Sequence, residues 1–166
     1  MIFVTVGTQG PFERMVKAVD DWCAATPDAP PVFGQIGSPL GDTHRPQHFE
    51  WAERLDPGEF NRRFQESALI VSHAGMGSII SALQGGKQIV VMPRLARLHE
   101  HRNEHQLATV RQMASRPGVH VAEDEAELPA VMAEALARAR DKNAPVVDAF
   151  ADAAFTDALR TFILNK

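Results

Sequence analysis

A serine, a histidine and two glycines lie close together in residues 71–78, which read Val-Ser-His-Ala-Gly-Met-Gly-Ser. The apolar run at 68–71 predicts a buried strand, and residues 79–83 predict the first turns of a helix. Where a strand turns into a helix, backbone N–H groups point outward and the helix dipole favours negative charge. Glycines let the backbone approach a ligand, and Ser78 adds a hydroxyl donor. These residues therefore suit the binding of a phosphate.

The glycine spacing differs from two common nucleotide-binding motifs. The dinucleotide fingerprint needs a third glycine where Ile80 stands. The pair Gly86-Lys87 is followed by Gln88 instead of serine or threonine, and it lacks the upstream glycine of a phosphate-binding loop. A tight turn without a ligand remains the alternative explanation of the motif.

The composition predicts a globular protein of one domain, residues 1–166, with 45% hydrophobic and 23% charged residues. A net charge of −4 argues against nucleic acid as a partner. The single cysteine, Cys23, excludes an internal disulfide, and we expect a structural thiol on a helix. We find neither a leader peptide nor an apolar run near the roughly 20 residues that cross a membrane, so we expect a cytoplasmic protein.

Strands and helices alternate along the chain. Apolar runs predict strands at 2–6, 32–36, 48–52, 68–71, 88–92 and 119–122. Helical periodicity predicts helices at 12–25, from an N-cap at Asp56 to about 66, from about 79 to 84, and at 103–115, 125–140 and 149–164. Residues 94–102 are expected to form a charged loop. This alternation predicts an α/β fold, a parallel sheet with helices on both faces, with ligands at the carboxyl ends of the strands.

Three motifs in this order resemble the C-terminal domain of glycosyltransferase family 28. They are Val-Thr-Val-Gly-Thr at 4–8, the Ser-His-Ala-Gly-Met-Gly-Ser run at 72–78, and His-Arg-Asn-Glu-His-Gln-Leu-Ala at 101–108. The resemblance extends from residue 2 to about 136. It is closest to short subunits of two-chain transferases, which act in dolichol-linked oligosaccharide or bacterial exopolysaccharide assembly. Residues 92–106 are most similar to the exopolysaccharide subunits.

The resemblance implies a Rossmann-like domain equivalent to the C-terminal half of a GT-B glycosyltransferase. That half binds a nucleotide-sugar, usually a UDP-sugar, and needs no metal or other cofactor. The other half binds the acceptor and usually supplies the catalytic base. We therefore expect hexosyl transfer with inversion, a membrane-associated acceptor subunit as partner, and a lipid-linked glycan acceptor reached through it. The chain would then be peripheral at the inner face of the membrane, and a homo-oligomer is possible.

The resemblance also assigns roles to residues that would bind the donor. The diphosphate is expected at the glycine turn, namely Gly75, Met76, Gly77 and Ser78. Gly7 and Thr8, at the end of the first strand, are expected to position the diphosphate or the acceptor, with a plain turn as the alternative. His73 is expected to donate to a phosphate or to the sugar, with a packing role as the alternative and a catalytic role as the less favoured one. His105 and Gln106 match a pair whose glutamine contacts sugar hydroxyls, with a polar helix start on the surface as the alternative. Asn103 and Glu104 are secondary candidates, with helix capping as the alternative. The backbone at Met92 and Pro93 is expected to support the uracil.

Several positions leave alternatives open. Many relatives carry a glutamate that binds the ribose where this chain has Ser81, which weakens the case for strict UDP preference. Arg94 and Arg97 suit a phosphate or carboxylate contact, but solvated side chains are the favoured interpretation. The spacing of His99, His101 and His105 permits a metal site, although a charged loop is favoured.

Alternative functions and a partner contact also remain open. The chain could be a non-catalytic nucleotide-sugar-binding or regulatory protein, or a stand-alone homodimeric transferase. The apolar helix predicted at 149–164 packs on the sheet or contacts a partner chain.

Overall fold

The computed structural model describes residues 1–39, 41 and 43–140, and the helix predicted at 149–164 lies outside them. Within these residues, six parallel strands form one sheet. They are β1 (Ile2–Thr5), β2 (Val32–Gln35), β3 (Glu50–Ala52), β4 (Leu69–His73), β5 (Gln88–Met92) and β6 (Val119–Val121). Their order is β3-β2-β1-β4-β5-β6. Strands before β4 are added on one side of β1 and later strands on the other, so the order of the strands reverses between β1 and β4. Ligands of such folds bind at the carboxyl ends of the strands beside this reversal.

Helices cover both faces of the sheet. They are α1 (Glu13–Ala25), α2 (Pro57–Glu66), α3 (Met76–Gln84), α4 (His105–Met113) and α5 (Leu128–Arg140). Successive residues of β1 point to opposite faces, so Ile2 and Val4 pack with α1 and α5, whereas Phe3 packs with α2, α3 and α4. This arrangement confirms the predicted parallel sheet with helices on both faces.

The observed element boundaries differ from the expected ones where polar side chains bond to the backbone. The helix expected from 103 begins at His105, because Asn103 Oδ1 accepts from the His105 N–H at 3.2 Å and forms a turn. The helix expected from 125 begins at Leu128, because Asp124 Oδ1 accepts from two N–H groups that follow it. Part of the expected 94–102 loop is a 3-10 turn at Ala96–Leu98.

The third strand is shorter than expected and begins at Glu50 instead of residue 48. The buried Asp20 carboxylate explains this, since it accepts from the Gln47 and His48 N–H groups and contacts His44 Nε2 at 2.9 Å. Burial alone would raise the pKa of Asp20, but these bonds hold it below its ordinary value. Asp20 thus attaches the segment before β3 to α1.

Two further findings bear on the predictions from composition. Half-burial, together with the charge of Asp20, raises the pKa of the Cys23 thiol to about 11, which suits a structural rather than a reactive thiol. None of the helices in the described ranges has the length and apolar character needed to span a membrane.

Candidate functional site

A cavity of about 650 Å³ opens at the carboxyl ends of β1 and β4, at the reversal of strand order. Its walls come from the end of β1 and the loop after it, the end of β2, the segment entering α2, and the turn between β4 and α3. The lining residues are Thr5, Gly7, Thr8, Gln9, Gln35, Arg54, Leu55, Pro57, Phe60, Asn61, Phe64, His73, Gly75, Gly77, Ser78 and Ser81. Six of the residues expected to bind the donor, Gly7, Thr8, His73, Gly75, Gly77 and Ser78, therefore lie around one space.

One end of the cavity is the start of helix α3. The helix begins at Met76 with Gly75 as its N-cap, three residues earlier than expected. Within the described chain no side chain caps this helix, so the first-turn N–H groups are available to an anion. Gly77 and Ser78 line the cavity, whereas the Met76 side chain is exposed and does not line it. Met76 therefore offers the cavity its N–H alone.

The His73 ring fills the gap between the two glycine-containing turns. A Cβ at Gly7 would lie 2.5 Å from His73 Cε1, and a Cβ at Gly75 would press even closer on Nε2. Gly7 also has a φ of +75°, a conformation that L side chains rarely adopt. The two glycines are therefore required by the ring as well as by the backbone.

His73 is neutral at pH 7. Burial lowers its pKa to about 4, and the positive charge of Arg94 acts in the same direction, while a backbone contact with Thr5 opposes them. Ser72 Oγ lies 3.3 Å from Nδ1 of the ring. When this hydroxyl donates to Nδ1, the neutral ring carries its proton on Nε2 and can donate it into the cavity.

A second wall of the cavity is apolar and was not predicted. Leu55, Pro57, Phe60 and Phe64 line it from α2 and the segment before it. The Gln35 side chain places this segment, because its Oε1 accepts from the Leu55 N–H at 2.9 Å. From the sequence, Asp56 and Pro57 were expected only to start a helix. The structure confirms this start, because the Asp56 side chain accepts from the Gly58 and Glu59 N–H groups.

Predicted residues of the segment 92–106 lie outside this cavity. Met92 and Pro93 are buried, and Gln106 is 6% exposed with its Oε1 accepting from the Arg94 N–H at 2.9 Å. His105 and Glu104 are exposed, and Glu104 accepts from the Ala96 N–H.

Asn103 lines a separate cavity of about 640 Å³. The other residues around it are Gln9, His99, Glu100, His101 and Arg102. Gln9 lines both cavities, so the loop after β1 separates them. The proposed sugar contacts of this segment stay predictions.

Arg94 differs from its expected state. A solvated side chain was expected, but Arg94 is only 1% exposed. Its guanidinium donates to backbone carbonyls of the loop after β1, and these bonds hold the side chain inside the protein. Arg97 is exposed, as expected. Residues 1–39, 41 and 43–140 contain no group of three or more His, Cys, Asp or Glu placed to hold a metal ion.

Comparisons with known proteins agree with this geometry. The chain resembles a structure described as the glycotransferase of kitacinnamycin, with a TM-score of 0.54 and 20% identity over 83% of this chain and 34% of that one. The glycosyltransferase SnogD from Streptomyces nogalater gives a TM-score of 0.40 and 18% identity over 87% of this chain and 39% of that one. The chain thus spans between a third and two fifths of these structures, and the first likeness supports the fold. Among curated protein sequences, none matches the chain.

The family itself is defined by sequence. The profile described as the glycosyltransferase family 28 C-terminal domain matches residues 1–161, nearly the whole chain. The expected sheet of parallel strands is the architecture found here, and a cavity opens at the carboxyl ends of β1 and β4. The chain therefore belongs to glycosyltransferase family 28 and corresponds to the C-terminal domain of that family's enzymes.

Proposed function

We propose that this domain binds the UDP-sugar donor of a glycosyltransferase. The observation that carries the proposal is the make-up of the cavity, which has an uncapped helix start and His73 in one wall and apolar side chains in another. A nucleoside diphosphate presents the matching groups, anionic phosphates and a flat base. Among the lining residues the one permanent charge is Arg54, a cation, so no lining carboxylate repels the phosphates.

The donor would lie along the cavity with its diphosphate at the start of α3. The N–H groups of the first turn, the Ser78 hydroxyl and the His73 Nε2–H would donate to the phosphate oxygens. Leu55 and Phe60 would contact the base, in place of the expected Met92 and Pro93, which are buried and do not line the cavity. Ser81, one turn along α3 from Ser78, would face the ribose. As the acceptor hydroxyl attacks the anomeric carbon, the same donors stabilise the negative charge that develops on the departing UDP.

The rest of the enzyme is proposed from the resemblance to subunits of two-chain transferases. In those enzymes the acceptor-binding half is a separate chain. We propose that this half is membrane-associated, binds a lipid-linked glycan and supplies the catalytic base. The complex would transfer a hexose in exopolysaccharide or capsule assembly, with this chain at the cytoplasmic face of the membrane.

Calorimetric titration with UDP tests the donor site, with ATP and NAD as nucleotide controls and with and without magnesium. The informative variant is Gly77→Ala, because the added Cβ meets no atom within 4 Å in the free protein. Any loss of UDP affinity must then come from a clash between the added Cβ and the bound UDP. We expect UDP to bind at least about tenfold more weakly, a difference of about 1.4 kcal/mol.

Gly58→Ala is the matched control for this titration. Gly58 is the second residue of α2, as Gly77 is of α3, and it does not line the cavity. UDP should bind to Gly58→Ala as it binds to the unchanged protein. Equal UDP affinity in both variants would contradict the placement of the diphosphate. UDP binding without sugar transfer, even with an acceptor-half partner present, would favour the non-catalytic binding protein.

A further inference from the structure

Arg94 lies beneath the loop that joins β1 to α1, residues 6–12. Its Nη2 donates to the carbonyls of Val6 at 2.9 Å and Gly10 at 2.8 Å, and its Nη1 donates to that of Pro11 at 2.7 Å. Its side chain is among the largest fully buried ones in the described residues. One guanidinium therefore joins the beginning and the end of a loop that is more than 80 residues away in the sequence.

The surroundings of Arg94 compensate for the burial of its charge. Burial lowers its pKa to about 10, and the nearby Glu100 carboxylate opposes that effect, so the group stays charged at neutral pH. Glu100 is itself bound to Arg14 at 2.7 Å and to the Leu95 N–H at 2.9 Å. The ring of Phe12 lies 4.6 Å from the guanidinium carbon. Charges, carbonyls and an aromatic ring thus hold the guanidinium in one orientation.

The loop itself has little that fixes its shape. Gly7 and Gly10 have φ values of +75° and +100°, and glycine loses more conformational freedom on ordering than any other residue. At the start of the loop, the Val6 N–H donates to the Gln35 carbonyl at 3.1 Å and the Gly7 N–H donates to Thr5 Oγ1 at 3.2 Å. Yet Gly7 and Thr8 form a wall of the donor cavity. A loop that had to be ordered by the ligand would weaken binding by the cost of that ordering.

We propose that Arg94 is a positioning residue for the donor site. It holds the loop after β1 in its binding conformation without touching the donor. The proposal rests on the proposed function of the cavity. Arg94 does not line that cavity, and both of its Nη atoms are engaged by loop carbonyls. The planar fork of arginine suits this role, whereas a lysine ammonium is a point charge that cannot replace its fixed set of bonds.

Two substitutions of Arg94 separate positioning from general stability. Arg94→Lys keeps the charge and loses the fork, and Arg94→Met loses both. The control is Ile89→Ala, a fully buried position near the amino end of β5, in a core cluster that contains none of residues 6–12, and it destabilises the protein. Thermal unfolding is measured for each variant, and UDP affinity is measured where the protein is fully folded.

We expect both Arg94 variants to bind UDP at least tenfold more weakly, while Ile89→Ala keeps the affinity of the unchanged protein. In the free protein, ¹⁵N order parameters of residues 7–10 should fall toward about 0.6 in the Arg94 variants and stay near about 0.85 in Ile89→Ala. Arg94 variants that bind UDP as the control does, with an ordered loop, would overturn the proposal. The order parameters need no ligand, so failure of the proposed UDP site and failure of this inference are distinguishable.

Phe12→Leu serves if the Arg94 variants do not fold. It removes the ring beside the guanidinium and keeps an apolar side chain at a buried position. We expect a several-fold weaker UDP affinity and lower order parameters at residues 7–10. An unchanged loop and unchanged affinity in this folded variant would count against the positioning role.

Discussion

Replacing Gly75 with alanine tests whether the His73 ring fills the space between the two glycine turns. The added Cβ would press on Nε2 of the ring, closer than real Cβ atoms approach a neighbour. The backbone of Gly75 has a φ of −90° and a ψ of 130°, which any residue adopts, so the penalty is steric alone. Such overpacking lowers the free energy of unfolding by about 1–3 kcal/mol.

The same substitution at Gly7 carries a second penalty. Its Cβ would lie 2.5 Å from Cε1 of the same ring, and its φ of +75° is unfavourable for a side chain. The left-handed backbone adds about 1–2 kcal/mol to the steric term. We therefore expect Gly7→Ala to lower the free energy of unfolding by about 2–5 kcal/mol, more than Gly75→Ala.

Double-mutant cycles with His73→Ala separate the two penalties. Without the ring, Gly75→Ala should become nearly neutral, whereas Gly7→Ala should keep its backbone penalty of about 1–2 kcal/mol. Urea unfolding at pH 7 measures each variant. Gly77→Ala is the control, because its Cβ meets no atom within 4 Å. Purely additive effects, with coupling below about 0.5 kcal/mol, would refute the position assigned to the ring.

Two other predictions concern the pH dependence and the ribose. The pKa of His73 falls from an ordinary 6.5 to about 4 on folding, so the unfolded state binds the proton more readily, and stability present above pH 6.5 is lost as pH falls toward 4. Urea unfolding should show that the free energy of unfolding falls by up to about 3 kcal/mol between pH 6.5 and pH 4, and that His73→Asn lacks this loss. An equal dependence on pH in the two proteins would contradict the low pKa of His73. Ser81→Glu adds a carboxylate to the cavity wall beside Asn61. Calorimetry should show that the ratio of the affinities for UDP and 2′-deoxy-UDP is about tenfold or more higher in Ser81→Glu than in the unchanged protein. The same ratio in both proteins would exclude a ribose at Ser81.

The elements were predictable because their signals are local. Buried parallel strands are short apolar runs, and β5 was predicted at both ends since Pro93 ends the run that follows Gly85-Gly86. The glycine turn was predictable because strand, glycines and helix follow one another in the sequence. Six of the expected donor-site residues consequently line one cavity.

The features that were missed depend on contacts distant in sequence. Arg94 stands among charged residues, and its burial arises from carbonyls at Val6, Gly10 and Pro11, which no local pattern relates to it. Phe60 and Phe64 were expected only as helix residues, and their place in the cavity depends on how α2 packs beside β1 and β4. A buried arginine and an aromatic cavity wall become visible only when the fold is assembled.

Gln106 can affect donor binding without touching the donor. Its Oε1 accepts from the Arg94 N–H, and the Arg94 side chain holds the loop that carries Gly7 and Thr8. Loss of this acceptor in Gln106→Ala should therefore weaken UDP and UDP-hexoses by the same factor. Gln106→Glu keeps an acceptor oxygen for the Arg94 N–H but replaces the amide donors with a carboxylate at a buried position, so UDP affinity should fall less than in Gln106→Ala. If Gln106→Ala instead weakens the UDP-hexoses and leaves UDP unchanged, the amide contacts the sugar, as the family resemblance implies.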